Sequence, residues 1–255
     1  MTTLPRNICF LLFVALFSSG CITTKSSVFT EKASPEKALE RRVQLARQYI
    51  GEGNWPDAKR NLKLAYEIDP NEPEVHEAFA LVYQSTGELE LAEEHFETAI
   101  DLDRKFSRAR NNYAAFLFSQ QRFEEAEAQL MFVVKDSLYN GRPMAFVNLG
   151  LCRQQLFDVP GAEEAFVRAL SMDRTNRIAL LELATIRFEE GDATNAQRYY
   201  DTYRTVVRKQ SARGFWLGIR LARIAGDRDA EGSYALALAN LYPNSPEYTA
   251  YKQTK

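Results

Sequence analysis

The chain has 255 residues, 45% of them hydrophobic and 26% charged, with 32 Lys and Arg against 34 Asp and Glu, a formal charge of −2. That length supports a large core or a repeat array. The near-balance of charge argues against a nucleic-acid partner, which asks for a basic face.

Chain order brings the first feature at once. Arg6 is followed by an apolar run, Ile8 to Phe17, and then by the small residues Ser18, Ser19 and Gly20 before Cys21. This is the layout of a bacterial secretory signal. A membrane-crossing helix needs roughly 20 apolar residues, and this run is too short. Ser19-Gly20-Cys21 resembles a bacterial lipobox, which implies that the Cys21 thiol accepts a lipid and becomes the first residue after cleavage. The family pattern places Leu three residues before the cysteine; here that position is Ser18. Acyl chains would anchor the protein, at about 0.8 kcal/mol per buried CH₂. Ile22 follows the cysteine, and it is not the Asp that retains such lipoproteins at the inner membrane. The resemblance therefore implies the inner leaflet of the outer membrane, with the protein facing the periplasm.

Removal of residues 1–20 would leave 235 residues with a side-chain charge of −3, because Arg6 alone is lost. Cys9 leaves with the signal and Cys21 takes the lipid. Cys152 is then the one thiol remaining, which rules out an intramolecular disulfide. Its apolar helical surroundings make it a small buried hydrophobe. Residues 21–35, ITTKSSVFTEKAS and its flanks, are rich in Ser and Thr and read as a flexible tether.

From Pro35 onward the chain repeats itself. Ala58, Ala92, Ala126, Ala162, Ala196 and Ala230 are spaced by 34, 34, 36, 34 and 34 residues. Four residues after each stands Leu62, Phe96, Leu130, Phe166, Tyr200 or Tyr234. Twelve before each stands Ala46, Ala80, Ala114, Gly150, Ala184 or Gly218, and thirteen before stands an apolar residue from Leu45 to Leu217. The small residues let two helices approach, and the large ones fill the space beside them. A period of 34 with this pattern is the tetratricopeptide signature.

The expected fold is all-α: a right-handed superhelix of about six helix-turn-helix repeats with a concave groove. It occupies residues 36–255, with repeats at about 39–72, 73–106, 107–142, 143–176, 177–210 and 211–244 and a C-terminal tail that adds a short capping helix. Pro70 and Pro243 end their helices. Arg104, Arg174 and Arg208 replace that proline elsewhere, so those helices have another stop or run longer. The two extra residues of the 36-residue step fall in KDSLYNGRP, where Gly141 and Pro143 break the helix and a longer connection is expected.

No catalytic chemistry is legible. His76 and His95 match no metal spacing and read as exposed polar residues. Acidic pairs such as Glu93-Glu94 read as solvated faces, and no nucleophile, phosphate-loop or zinc-protease motif is present. The chain is not read as an enzyme; it needs no cofactor beyond the covalent lipid, and no metal or small-molecule substrate.

In this fold the first helix of each pair lines the groove. Counted from the anchor alanines, the groove residues are Val43, Arg47 and Ile50, then Glu77, Leu81 and Gln84, then Arg108, Asn112, Ala115 and Phe118. Val147, Asn148, Leu151 and Gln154 follow, and then Leu181, Thr185 and Phe188. Asn112 and Asn148 occupy equivalent sites. They either bond an extended peptide backbone or satisfy neighbouring helices. The apolar members form a stripe that is either a partner site or partly covered by adjacent helices.

FWLGIRLARIAGDRD (215–229) and LYPNSPEY (241–248), with ARNNYAAFL (109–117), NLGL (148–151) and AQRYYD (196–201), resemble the type IV pilus biogenesis and stability lipoproteins of the PilF/PilW kind. The resemblance spans signal, lipobox, repeats and C-terminal segment. It implies a pilotin, which rides to the outer membrane on its lipid and promotes localisation and multimerisation of the pilus secretin. It also implies that the amino-terminal repeats, with Val43, Ile50 and Leu81, carry partner binding. Tetratricopeptide lipoproteins also scaffold outer-membrane protein insertion or cell-wall enzyme complexes, and fold alone does not separate these roles.

Overall fold

A computed structural model describes residues 34–254 as thirteen helices, with no strand among the described residues. The signal and lipobox residues and most of the tether, Cys21 included, lie outside the described residues. In chain order the helices are α1 (Pro35–Gly51), α2 (Trp55–Ile68), α3 (Pro73–Thr86), α4 (Leu89–Leu102), α5 (Ser107–Ser119) and α6 (Phe123–Val133). Then come α7 (Arg142–Gln155), α8 (Val159–Met172), α9 (Arg177–Glu189), α10 (Ala193–Val206), α11 (Ala212–Ala225), α12 (Arg228–Leu241) and α13 (Pro246–Gln253). Leu39–Lys255 forms one unit. None of the described helices is long and apolar enough to cross a membrane.

Local chemistry sets the helix ends. Asn54, Asp158, Asp192 and Asp227 cap the second helices of their pairs, each accepting a hydrogen bond from the backbone N–H three residues on. Proline stands in the first turn of α2, α3, α7, α8 and α13, where its missing N–H costs nothing. The stop is an aspartate, whether or not proline follows it. Asp69, Asp103 and Asp173 leave the helical conformation, and each side chain accepts the backbone N–H two residues later, from Asn71, Lys105 and Thr175. The helices before Arg104 and Arg174 therefore end on schedule rather than running on.

The turn inside a pair needs a left-handed residue. Gly53, Gly87, Gly191 and Gly226 supply it at φ 70–83°, while Gln121 and Phe157 do so at φ 61° and 62° without the glycine's freedom. The longer connection falls after α6, whose eleven residues end at Val133. Asp136 holds it, accepting from the Ser107 hydroxyl at 2.6 Å and from the Leu138 N–H at 3.0 Å.

The repeat anchors are the core. Ala58, Ala92, Ala126, Ala162 and Ala196 are fully buried, and so are Leu62, Phe96, Leu130 and Phe166. A Cβ at Gly150 would lie 2.5 Å from the Phe166 ring, and one at Gly218 would collide with the Tyr200 hydroxyl, so both positions need the smallest residue.

The apolar residue thirteen before each anchor packs on the pair before it. Phe79 meets Tyr66 of α2, and Tyr113 meets Phe96 of α4. Leu45 has no described helix before it and is 39% exposed. At the other end Ala230 and Tyr234 are only half-buried. There α13 brings Tyr248 and Tyr251 against the cluster of Phe215, Ile219, Ala235 and Leu238.

Two variants probe this packing. Gly150→Val should lower the unfolding free energy by about 1–3 kcal/mol, as overpacked cores do, read from the urea midpoint. Phe157→Gly should raise it by about 1 kcal/mol, because a strained left-handed aromatic, 90% exposed, is replaced by a residue that adopts that geometry freely. A lower midpoint for Phe157→Gly would show that the exposed ring has a structural role.

Candidate functional site

The first helices of successive pairs touch one another, α3 with α5, α5 with α7 and α9 with α11, and so form the inner layer. The exposure of the groove positions separates them into two sets.

Positions fifteen before the anchor are interior except in the third repeat, where Asn111 is half-buried. Val43 is 4% exposed and packs with Ala65 of α2 and Val75 of α3, not toward the groove. Glu77, Val147 and Leu181 are likewise buried. Adjacent first helices cross over this position, so its side chain is trapped between them. Val43 is thus a core residue. Arg47, Ile50, Leu81, Gln84, Phe118, Leu151 and Phe188 are half-buried. Leu81, Phe118 and Leu151 rest on the main core while keeping one face open.

Beneath that stripe lies a ladder of polar contacts. Glu77 of α3 is fully buried; it accepts from the Arg47 guanidinium of α1 at 2.5 Å and from the Asn112 amide of α5 at 2.6 Å. Arg108 of α5 bridges Glu74 at 2.9 Å and lies 3.8 Å from Glu77. One carboxylate therefore ties three consecutive inner helices. Glu182 of α9, 3% exposed, does the same further along: Arg213 of α11 donates to both oxygens at 2.7 and 3.0 Å, and Gln154 of α7 donates at 3.1 Å. Between them Asn148 of α7 donates to Asn111 of α5 at 3.2 Å.

Asn112 and Asn148 are thus both engaged with neighbouring helices, the second of the two uses open to them. Glu182 and Arg213 form the part of the ladder that the motif search missed. Its signal was an acid inside the apolar run IALLELA.

Phe118, Asn148 and Leu151 come together at a small apolar slot of about 90 Å³ floored by Leu130 and Cys152. Cys152 is buried, and burial with Glu127 nearby pushes its thiol up to about 12, so it packs as a hydrophobe and is no nucleophile.

The histidines differ from expectation. His76 is buried and His95 half-buried, and their Nδ1 atoms lie 3.0 Å apart. The Pro70 carbonyl accepts from His76 Nε2 at 2.9 Å, so His76 Nδ1 accepts and His95 Nδ1 donates. Tyr66, Phe79 and Tyr83 surround the pair at ring distances of 5.1–5.8 Å. The pairing of α3, which carries His76, with α4, which carries His95, takes both rings wholly or partly out of solvent and brings them together.

The chain is therefore a tetratricopeptide-repeat protein with a preformed, partly apolar groove and a buried ionic floor, and the tetratricopeptide repeat family pattern matches residues 73–106. It is 37% identical to the Pseudomonas aeruginosa type IV pilus assembly protein PilF, over 99% of this chain and 100% of that one. A solved structure of Pseudomonas aeruginosa PilF superposes with a TM-score of 0.84 at 38% identity, covering 87% of this chain and 99% of that one. The crystal structure of PilW, a type IV pilus biogenesis factor, superposes with a TM-score of 0.73 at 24% identity, over 84% of this chain and 98% of that one. The chain belongs to the PilF family of type IV pilus assembly proteins.

Two measurements follow from the geometry. Removing Glu77 leaves Arg47 and Arg108 facing a buried void, so Glu77→Ala should cost about 3–5 kcal/mol in a urea melt. A loss below 1 kcal/mol would mean that water enters and the ladder is not a dry floor. His95 has its pKa lowered to about 4, by burial first and then by the neighbouring His76. The unfolded chain binds that proton from about pH 6.5 downward, so the group's contribution is complete above 6.5 and is lost as pH falls toward 4. His95→Phe should flatten this part of the stability profile between pH 7 and 4.5 relative to the parent chain.

Proposed function

We propose that the protein is a pilotin: a lipoprotein anchored through Cys21 in the inner leaflet of the outer membrane, which binds the type IV pilus secretin and promotes its localisation and multimerisation. The observation that carries this reading is the end-to-end relation to PilF, repeats and C-terminal segment together. The half-buried apolar stripe is compatible with it.

The chemistry divides by segment. Acyl chains on Cys21 supply membrane affinity. Residues between Cys21 and α1 give reach. The amino-terminal part of the groove, Arg47, Ile50, Leu81 and Gln84, captures a secretin protomer, and Asn112, Phe118, Asn148 and Leu151 extend that face. Tethering then raises the protomer's concentration at the membrane and favours ring assembly. Val43 supports this face from beneath.

The test is a membrane fractionation of a deletion strain, blotted for the secretin multimer, with radioactive palmitate to read lipidation. The multimer should vanish or move to the inner membrane. It should return with the parent chain and not with Cys21→Ala, which should also lose the palmitate label while keeping its fold by circular dichroism. Secretin rings of normal amount and place in the deletion strain would overturn the reading and leave a general periplasmic scaffold as the better account. Palmitate on Cys21→Ala would overturn the anchor.

A further inference from the structure

A second cleft lies away from the amino-terminal part of the groove. It is formed where α9 and α11 begin, and its volume is about 540 Å³. Its apolar wall includes Leu151, Ile178, Leu181 and Tyr203. Its rim is cationic: Arg177, Lys209 and Arg213 all line it.

These cations are not equally committed. Arg213 is fixed by its two bonds to Glu182, and that pairing neutralises the carboxylate in the cleft. Arg177 and Lys209 have no carboxylate partner among the described residues; Lys209 instead lies 5.2 Å over the Tyr242 ring, on the cleft wall. Arg208, also without a carboxylate partner, lines the adjoining cleft on the other side of the same segment. The first turns of α9 and α11 turn their positive dipole ends toward the same place.

The wider charge distribution agrees. Residues 36–140 carry 20 acidic and 13 basic side chains, whereas residues 173–223 carry 6 acidic and 10 basic ones. In a chain that is nearly neutral overall, the stretch that lines this cleft thus carries a local excess of positive charge.

We propose that this cleft binds an acidic peptide segment, whose carboxylates meet Arg177 and Lys209 and whose apolar side chains lie on Leu151, Ile178 and Leu181. A peptide is favoured over a membrane surface because the apolar wall is recessed behind the cationic rim, where a flat bilayer makes no contact. It is favoured over nucleic acid because the cleft offers two unpaired cations, while a phosphate backbone is bound by many. The site does not depend on the pilotin reading, and the partner that carries the segment need not be the secretin.

The full-length protein in detergent is titrated by fluorescence anisotropy. The probes are short synthetic peptides in which Asp and Glu are stepped up against a constant Leu and Ser background, each with an Asn and Gln twin. Affinity should rise with acid content, fall with added salt and be weak for the twins. Arg177→Glu with Lys209→Glu should weaken the acidic peptides by about tenfold or more. Arg177→Gln with Lys209→Gln should weaken them less, and Ile50→Ala should leave them unchanged. Both cations are exposed, so unchanged thermal midpoints check the fold.

Equal binding of acidic peptides and twins would overturn the proposal, as would full affinity in the charge-reversed variant. Equal binding of single-stranded oligonucleotides or of anionic phospholipid vesicles, lost in the same variant, would also overturn it, making the rim a general polyanion face.

Discussion

Close approach of paired helices is the constraint on which everything else rests. It requires a residue no larger than alanine at one fixed place in each pair, and at Gly150 and Gly218 it admits no side chain at all, because Phe166 and Tyr200 already fill the space. Once the pairs close, the large anchors fill the space beside the small residues, in one large central cluster and smaller ones toward the two ends. The ends follow from the same rule. Leu45 keeps an open face where no described helix precedes α1, and α13 covers part of the last pair with tyrosines. Stability in such a stack is a sum over neighbours, so a clash at one junction weakens two repeats.

The groove inherits its rigidity from the layer beneath it. Glu77 and Glu182 stand about three repeats apart, and each binds side chains from the helices on both sides. A buried carboxylate without such partners would be costly; with them it fixes the spacing of three helices at once. The half-buried residues above, Ile50, Leu81, Phe118, Leu151 and Phe188, are therefore presented on a floor that is already ordered. A partner that docks there faces little reorganisation of the protein, which preserves more of its contact energy as affinity.

Electrostatics divides the same surface. Near the amino-terminal repeats acids outnumber bases, and several cations are held in ion pairs, as with Arg122 between Glu93 and Glu125 and Lys59 on Glu88. In residues 173–223 the balance reverses, and Arg177 and Lys209 stand at a cleft without a carboxylate partner among the described residues. One superhelix therefore offers an apolar stretch of groove and a cationic one, with different chemical preferences.

The period of 34, the small and large anchors, the helix count and the break near Gly141 were all legible in the sequence, because each depends on residues close together in the chain. So was the burial of Cys152, from its apolar surroundings. The family was legible too, from strings outside the repeat consensus such as FWLGIRLARIAGDRD. What the sequence could not decide was the direction of side chains near the boundary between groove and interior. Val43 and Arg47 lie one turn apart, yet one is core and the other bonds Glu77, and only the crossing of α1 with α3 separates them. The same holds for Asn112 and Asn148, turned to neighbouring helices, and for His76 and His95, which meet across a helix pair. Helical periodicity determines which face a residue occupies; the packing of the next helix decides whether that face is open, and that geometry exists only in the folded stack.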